Sequence, residues 1–370
     1  MKDRIMEILQ INKLYYPWLG GVETHVKDLA EELVKDKQIQ LKVLCCNTKL
    51  KTSKETINNV KIIKAASLGV FFSLPISFSF LKYLKEEQAD ILHFHLPNPW
   101  AVLAYLLVKP KGKVIVTWHS DIIKQKFLLF FYKPFLNLFL KKTDKIIATS
   151  KNMIESSPFL QKFKNKITVI PLGIDLAKYQ KTEQIDKLAK KIQEKHGKFI
   201  LFVGRLVYYK GVDILLEALK NTQVKLVIVG QGPLKNKLQQ YSKENLANNQ
   251  IEFLAPQPFE NLLAYFYAGD FFVLPSVSRS EAFGIVQLEA MACAKPVVST
   301  RLGTGVEYVN QDKVTGFTIT PGKVTELRNA ILKLWLDQNL VTMMGKHAYE
   351  RVVKEFGKEK MIARIKRVYS

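Results

Sequence analysis

The chain is poor in cysteine, and the few cysteines it has are poorly placed for bridges or metal ions. Of the three, Cys45 and Cys46 are neighbours inside an apolar run that is typical of a strand. Neighbouring strand residues point to opposite faces of a sheet, so this pair suits burial better than disulfide formation or zinc ligation. No group of cysteines and histidines has the sequence spacing of a metal site. We therefore predict neither disulfides nor a bound metal.

Long uninterrupted apolar runs and a secretory leader are also missing. The most apolar regions, Leu68 to Leu84 and Phe127 to Leu140, are each interrupted by a proline and a lysine. A membrane-spanning helix needs about 20 consecutive apolar residues, which neither region offers. The segment from Met1 to Glu7 is charged and lacks the apolar stretch of a signal peptide. We expect a cytoplasmic protein that does not span a membrane.

Acidic residues are scarce relative to basic ones. The chain has 56 Lys and Arg against 33 Asp and Glu, a formal net charge of +23 at pH 7. Such a field favours an anionic partner, which can be nucleic acid, an anionic membrane surface or a phosphorylated substrate. The lysines are scattered, without an arginine-rich block or an aromatic RNA-binding signature, so we do not predict nucleic-acid binding. The alternative is that these lysines only lie on the solvent-exposed faces of helices and bind no partner.

What the chain does have is a regular alternation of short apolar runs and helical patterns. Strands are predicted in the first half at Ile5 to Ile11, Leu41 to Cys46, Val60 to Ile63, Ile91 to Phe94, Val114 to Trp118 and Lys145 to Ala148. After the charged segment Thr182 to Lys198 they resume at Phe199 to Val203, Lys225 to Val229, Ile251 to Leu254, Phe271 to Leu274 and Pro296 to Ser299. This order is typical of parallel α/β sheets.

The length of 370 residues is enough for two such sheets, each with its own core. We therefore predict an α/β fold of two Rossmann-like, doubly wound domains that face each other across a cleft. The predicted domains are residues 1–174 and 175–354. Ligands are expected at the carboxyl ends of the strands that face the cleft.

Loops after the predicted strands hold candidate ligand-binding residues. Arg205 offers a rigid donor fork and Lys210 a point charge, a pair suited to a diphosphate. Gly20 and Gly21 lie at the equivalent place in the first half, where missing side chains let a phosphate or sugar approach the backbone. Gly230 lies in a further strand-end turn. A basic loop in a lysine-rich chain and ordinary turn chemistry are the alternatives.

Two glutamates and a histidine complete the candidates. Glu281 is predicted on a loop before a helix that begins near Phe283, and Glu289 lies two turns into that helix, within reach of a group such as a ribose. His119 follows a strand, from where it can donate to a developing charge or to a sugar. The alternatives are a capping glutamate, a surface glutamate and a packed core histidine.

Together these residues resemble the family 4 retaining glycosyltransferases of GT-B fold. The matching series is Gly20-Gly21-Val22-Glu23-Thr24-His25, Val203-Gly204-Arg205 with Lys210-Gly211, Gly230 to Pro233, and Glu281 through Glu289 to Pro296. The resemblance runs over nearly the whole chain and includes the family's paired glutamates. Ala282 and Ala294 stand where many members have glycine, which affects loop geometry rather than the assignment.

The resemblance implies roles for the candidates and a nucleotide-diphosphate sugar, GDP- or UDP-linked, as donor substrate, with no metal or cofactor. Arg205 and Lys210 would hold the diphosphate. Glu281 would contact the donor hexose and Glu289 the ribose, with His119 beside the sugar. Further contacts to sugar and phosphate would come from the backbone amides of Phe283, Gly284 and Ile285. In this fold the last helix, at about residues 355–370, packs back on the N-terminal domain, which would take the acceptor.

A narrower resemblance lies in Trp118 to Asp121 followed by Lys124-Gln125-Lys126. It is similar to bacterial mannosyl- and rhamnosyltransferases that assemble surface polysaccharides such as lipopolysaccharide. We therefore expect transfer of a mannose or rhamnose to a glycan or lipid-linked acceptor, with the anomeric configuration retained. The alternatives are a non-catalytic nucleotide-sugar or polyanion binding protein on the same fold, or another GT-B enzyme such as a phosphorylase or sucrose-type synthase.

The segment from Phe127 to Leu140 suggests where such an acceptor is met. It is crowded with phenylalanine and flanked by Lys124, Lys126, Lys141 and Lys142. Basic residues are attracted to an anionic leaflet, and aromatic residues anchor at its interface. We expect peripheral contact with the inner face of the cytoplasmic membrane. The alternative is a buried helix that covers the sheet.

Overall fold

The computed structural model describes residues 5–18, 20–71, 74–122 and 126–370. The chain divides into two compact units, which we call unit 1 and unit 2. Unit 1 comprises Met1–Ile170 and Ile362–Ser370, and unit 2 comprises Pro171–Met361. Both units are α/β, as predicted.

Unit 1 contains the first ten strands of the described chain. They are β1 (Met6–Ile11), β2 (Ile39–Cys46), β3 (Ser53–Ile57), β4 (Val60–Ala65), β5 (Val70–Phe71), β6 (Leu74–Pro75), β7 (Ile91–Leu96), β8 (Lys113–Trp118), β9 (Lys145–Ala148) and β10 (Ile167–Val169). Its helices are α1 (Gly21–Leu33), α2 (Phe78–Glu86), α3 (Pro99–Val108), α4 (Lys126–Lys142) and α5 (Lys151–Ser156), with a 3-10 helix at Leu160–Lys166.

The main sheet of unit 1 has the order β10-β9-β8-β7-β1-β2-β4-β3, and only β3 pairs antiparallel to its neighbour. Every residue of β7 is buried. Continuous burial is what a parallel strand covered by helices on both faces requires. The chain order reverses between β1 and β7, and ligands of open α/β sheets bind at such switch points.

Unit 2 repeats this plan with six strands. They are β11 (Ile200–Val203), β12 (Leu226–Val229), β13 (Ile251–Leu254), β14 (Phe272–Leu274), β15 (Val297–Thr300) and β16 (Gly316–Ile319). Its helices are α6 (Glu183–His196), α7 (Val212–Leu219), α8 (Lys235–Asn245), α9 (Phe259–Ala268), α10 (Ile285–Ala292), α11 (Gly305–Val309), α12 (Val324–Leu336) and α13 (Gln338–Glu355), with 3-10 helices at Leu176–Tyr179 and Tyr208–Lys210.

The sheet of unit 2 is parallel throughout, in the order β13-β12-β11-β14-β15-β16. This is the doubly wound Rossmann order, with its switch point between β11 and β14. The loops that follow β11 and β14 therefore leave the same edge of the sheet side by side, and both carry predicted ligand-binding residues.

The last helix, α14 (Lys358–Tyr369), begins in unit 2 and ends in unit 1. Within unit 1, Lys366 Nζ lies 2.6 Å from the Asp36 carboxylate. Lys113 Nζ donates to the carbonyls of Val368 and Tyr369 at 2.9 and 3.1 Å. These bonds attach the chain's last turn to unit 1.

Differences from the predicted elements have local causes. The unpredicted strand β3, Ser53–Ile57, has the sequence SKETI and lies at the sheet edge, so it needs no apolar run. Helix α10 begins at Ile285 rather than near Phe283. The residue before it, Gly284, has a left-handed φ of +68°, which a right-handed helix does not allow. Within the described ranges, every helix falls short of the length or the apolar content that crossing a bilayer requires.

Candidate functional site

Two loops at the switch point of unit 2 form the centre of the candidate site. They follow β11 and β14, which are paired at Leu201 and Phe272. The Val277 amide donates to the Tyr209 carbonyl at 2.8 Å, which joins the loops directly. A Cβ atom on Gly211 would lie 2.2 Å from the Pro275 carbonyl oxygen, so only glycine allows the loops to approach this closely.

Lys210 and Glu281 meet between these loops. Lys210 Nζ lies 2.6 Å from Glu281 Oε2, and the side chains are only 11% and 10% exposed. The Ser276 hydroxyl donates to the same carboxylate oxygen at 3.2 Å, and the Thr304 hydroxyl donates to the Glu281 carbonyl at 2.9 Å. A buried charge needs such partners to offset the loss of hydration. The structure thus brings together two predicted residues that lie far apart in sequence.

Glu281 lies on a loop, as predicted, just before α10. The Gln287 side chain donates to the Phe283 carbonyl at 3.2 Å and fixes the turn at Gly284. The first N–H groups of a helix have no intrahelical partner, and they carry partial positive charge. The amides around Gly284 and Ile285 therefore offer an anion site beside the Lys210–Glu281 pair.

Glu289 lies further along α10 and differs from Glu281 in its ionisation. Burial raises the pKa of its carboxyl to about 7, an effect partly offset by a hydrogen bond from Tyr179 and by the charge of Lys210. A carboxyl with this pKa changes charge close to neutral pH. Its environment therefore differs from that of a solvated surface glutamate.

Two strand-end turns lie in close backbone contact at Gly230 and Gly204. A Cβ atom on Gly230 would lie 2.0 Å from the Gly204 carbonyl oxygen, and one on Gly232 would lie 2.4 Å from the Leu206 carbonyl oxygen. The Leu206 amide donates to the Gln231 carbonyl at 3.0 Å. Arg205, between these contacts, is exposed at the carboxyl end of β11, so its guanidinium is available to a ligand.

The remaining predicted residues lie in unit 1. His119 follows β8, and its amide donates to the Leu96 carbonyl at 2.9 Å, so the residue is fixed at the carboxyl end of the sheet. Gly20 caps α1, and a Cβ atom on Gly21 would have no neighbour within 4 Å. A Cβ atom on Gly20 would instead lie 2.2 Å from a carboxylate oxygen of Glu23, so the space beside the start of α1 is open at Gly21 and not at Gly20.

His119 is not isolated, which the sequence did not indicate. Side-chain nitrogens of His25, His95 and His119 all lie within 4.8 Å of one another, and all three residues are buried. They come from α1, from β7 and from the loop after β8. Sequence spacing cannot detect a group assembled from three separate elements. The available signal was the pattern His93-x-His95 in a strand that pairs with the strand before His119.

Comparisons with known proteins agree on one family. Residues 183–351 match the family described as Glycosyl transferases group 1, and residues 19–178 match Glycosyltransferase Family 4. The chain is 33% identical over 360 residues to O-antigen chain mannosyltransferase C of Escherichia coli, covering 96% of each chain. It is 36% identical over 283 residues to the D-rhamnosyltransferase WbpZ of Pseudomonas aeruginosa, covering 75% of this chain and 73% of that one.

Solved structures agree on the fold. The sucrose-phosphate synthase of Thermosynechococcus elongatus superposes with a TM-score of 0.81 at 19% identity, covering 98% of each chain. HepE of Anabaena in complex with UDP-glucose superposes with a TM-score of 0.77 at 20% identity, covering 98% of this chain and 99% of that one.

Proposed function

The chain belongs to the family 4 (group 1) glycosyltransferases of GT-B fold, and we propose that it transfers mannose or rhamnose in surface polysaccharide synthesis. The donor would be a GDP- or UDP-linked sugar, and the acceptor a glycan or lipid-linked glycan. Relatives named as a mannosyltransferase and a rhamnosyltransferase, at 33% and 36% identity, support the choice of hexose. Residues 175–354 would bind the donor and residues 1–174 the acceptor.

The observation that carries this proposal is the buried Lys210–Glu281 pair beside the start of α10. We propose that Lys210 and Arg205 hold the diphosphate without a divalent metal, helped by the amides of Phe283, Gly284 and Ile285. Glu281 would contact the hexose, and Glu289 the ribose. Gly230 would let its turn approach the nucleotide. Gly20 and Gly21 would lie near the phosphate or sugar, with open space beside Gly21.

In this proposal the leaving phosphate accepts negative charge while the sugar develops positive charge. A preorganised cation beside the phosphate stabilises that separation without reorganisation during the reaction. The Glu281 carboxylate, held 2.6 Å from Lys210 Nζ, would stabilise the sugar side. Burial holds the pKa of His119 well below its ordinary value. His119 would therefore act as a neutral hydrogen-bond partner of the sugar rather than as a cation.

Stereochemistry tests the transfer most directly. The first product formed from the donor and a lipid-linked acceptor should keep the donor's anomeric configuration, which proton NMR of the anomeric signal shows. A thermal-shift panel of GDP- and UDP-linked sugars would select the donor, because a ligand that binds only the native state raises its melting temperature. An inverted linkage would contradict the proposed mechanism, whichever donor is used.

We further propose that α4 places unit 1 on an anionic membrane surface. Phe127, Phe130 and Phe131 are 76%, 73% and 58% exposed, whereas Phe139 of the same helix is fully buried. The helix therefore covers the sheet with one face and exposes phenylalanines on another. The sequence suggested either a buried helix or a membrane contact, and these two faces are compatible with both. Lys141 and Lys142 lie in its last turn. Lys124 lies outside the described residues.

A cluster of exposed aromatic rings next to basic residues is typical of a membrane-contacting helix. Phe131 packs edge-on against both Phe127 and Phe130, with ring centroids 5.2 and 5.4 Å apart. A contiguous aromatic patch of this kind would enter the lipid interface as one surface. A lipid-linked acceptor would then be met in the plane of the membrane.

A further inference from the structure

The histidine cluster of unit 1 has a chemistry that the proposed sugar transfer does not use. His95 Nδ1 and His119 Nε2 share a hydrogen bond of 3.1 Å. One nitrogen from each of His25, His95 and His119 lies within 4.8 Å of the other two. The ring centroid of His25 is 5.9 Å from that of His95 and 5.2 Å from that of His119. Three imidazoles therefore point toward one small volume.

The pKa of each of the three imidazoles lies below its ordinary value. Burial lowers the pKa of His25 to about 4, and burial together with the neighbouring histidines holds the pKa of His95 and His119 well below the ordinary value. A neutral imidazole carries a lone pair on one ring nitrogen, although the hydrogen bond between His95 and His119 occupies one such lone pair. The neutral imidazole is the form in which histidine binds metal ions.

A fourth histidine shows what a satisfied imidazole looks like in this setting. His93 is buried against His95, with ring centroids 4.4 Å apart. Its Nδ1 bonds the Tyr369 hydroxyl at 2.7 Å, and its Nε2 bonds the Thr117 hydroxyl at 2.7 Å. Both nitrogens are used, so His93 has no lone pair to offer a ligand.

The cluster itself is not satisfied in the same way. His25 Nε2 and His95 Nε2 are buried and have no hydrogen-bond partner among the described residues. Buried polar atoms of native proteins are almost always paired, so each orphan atom points to a missing ligand. Here the orphan nitrogens are Nε2 of His25 and Nε2 of His95, whereas Nδ1 of His95 is bonded to His119.

We propose that His25, His95 and His119 form a binding site for a transition-metal ion of the zinc type. Zinc–nitrogen bonds of about 2.0–2.1 Å in a tetrahedron separate two ligand nitrogens by roughly 3.4 Å. The His95–His119 separation of 3.1 Å is already close to that value. The third nitrogen, within 4.8 Å of the other two, would reach that separation by rotation of the His25 side chain. Imidazole ligands suit Zn²⁺, Co²⁺, Ni²⁺ and Cu²⁺ rather than Mg²⁺.

Three histidines leave a tetrahedral ion one open position. This site is separate from the proposed diphosphate site, which would need no divalent metal. If His119 lies beside the donor sugar, as the proposed function holds, an ion on His119 withdraws it from the sugar. We therefore expect Zn²⁺ to inhibit transfer and EDTA to restore it, and this consequence rests on the proposed function.

Titration with Co²⁺ tests the site without any activity measurement. The full chain should bind one Co²⁺ with the visible absorption of a tetrahedral ion, and Zn²⁺ should displace it. His25→Gln and His95→Gln should each weaken binding on the order of 100-fold, because each removes one of three ligands. His347→Gln, which changes a partly buried histidine on α13 in unit 2, is the matched control and should bind like the wild type.

X-ray absorption of the zinc-loaded wild type should count three imidazole nitrogens at about 2.0 Å, and it needs no variant to fold. Absence of stoichiometric binding overturns the proposal, as does binding that persists in both variants or is lost equally in His347→Gln. Stoichiometric binding without inhibition by Zn²⁺ would keep the metal site and contradict the role of His119 beside the donor.

Discussion

Arg205 offers a clean test of diphosphate binding because its side chain is exposed, whereas Lys210 cannot be removed without leaving Glu281 buried and unpaired. Arg205→Ala should lower turnover by about 100-fold or more, the typical cost of losing one charge-assisted contact made in the transition state. Lys243→Ala removes the same charge from an exposed position on α8 and should leave turnover unchanged. Loss of activity in EDTA that manganese restores would argue against the metal-free diphosphate site.

Substitutions of Glu281 and Glu289 should affect different steady-state parameters. Glu281→Gln should lower kcat strongly, because Glu281 would contact the sugar where charge develops. Glu289→Gln should mainly raise KM, because a ribose contact is alike in ground state and transition state. Since Glu281→Gln also leaves Lys210 without its partner, circular dichroism must confirm the fold before the rates are compared. The reverse pattern would mean that the roles are exchanged.

Glu289 should also give the protein a measurable pH dependence. Its pKa of about 7 lies above the model-peptide value of 4.5, so the folded state holds the proton more tightly than the unfolded state. That stabilisation is complete below pH 4.5 and is lost as the pH rises through 7. The full loss is about 3 kcal/mol at 1.36 kcal/mol for each unit of pKa. Urea unfolding from pH 4.5 to 8 should show it in the wild type and not in Glu289→Gln, and parallel curves would contradict it.

The strand-end turns of unit 2 depend on contacts that admit no side chain. Gly230→Ala places a methyl group only 2.0 Å from the Gly204 carbonyl oxygen, so the backbone has to move. We expect a loss of more than about 2 kcal/mol in the free energy of unfolding, together with weaker donor binding. Gly357→Ala is the control in the same unit, because its added methyl has no neighbour closer than 3.7 Å. Equal stability of both variants would show that the turns are not packed as described.

Helix α4 has one buried side and one side that exposes phenylalanines. Its buried side, which includes Leu136 and Phe139, packs on unit 1, while its exposed phenylalanines have no such role in the described structure. The sequence predicted the apolar content of this helix but not its division into two faces. That division depends on which side the sheet and α3 cover, and Phe139 makes ring contacts with Phe94 of β7 and Tyr105 of α3.

At the scale of the whole molecule, the net charge of +23 predicts salt-sensitive association with anionic surfaces. In a sedimentation assay the protein should bind anionic liposomes at low salt and release them as salt is added. Phe130→Glu and Phe131→Glu together should reduce binding at least tenfold. Leu336→Glu, at a side chain 81% exposed in unit 2, should not. Binding to neither anionic nor neutral liposomes at low salt would rule out the membrane role.

The sequence by itself determined the fold class and the placement of its loops. Apolar runs bounded by glycine and proline predicted most of the buried parallel strands but not β16 (Gly316–Ile319). Two series of strands predicted two Rossmann-like sheets. The edge strand β3 was not predicted, because it has no buried residue and carries no apolar run. The loops after predicted strands supplied most candidate residues, and the family resemblance supplied their roles and added the amides of Phe283, Gly284 and Ile285. Their roles, and the domain boundaries predicted at residues 174 and 354, stay predictions.

Only the tertiary structure decided which of these residues touch. The switch point between β11 and β14 places Lys210 against Glu281, and the order of β1, β7 and β8 gathers His25, His95 and His119. It also decided that Glu289 is buried enough to hold a proton near pH 7 and that α4 exposes its phenylalanines. The physical reason is the same in each case. Local sequence sets where a strand or helix forms, whereas pairing, burial and pKa depend on neighbours that the folded chain brings from distant positions.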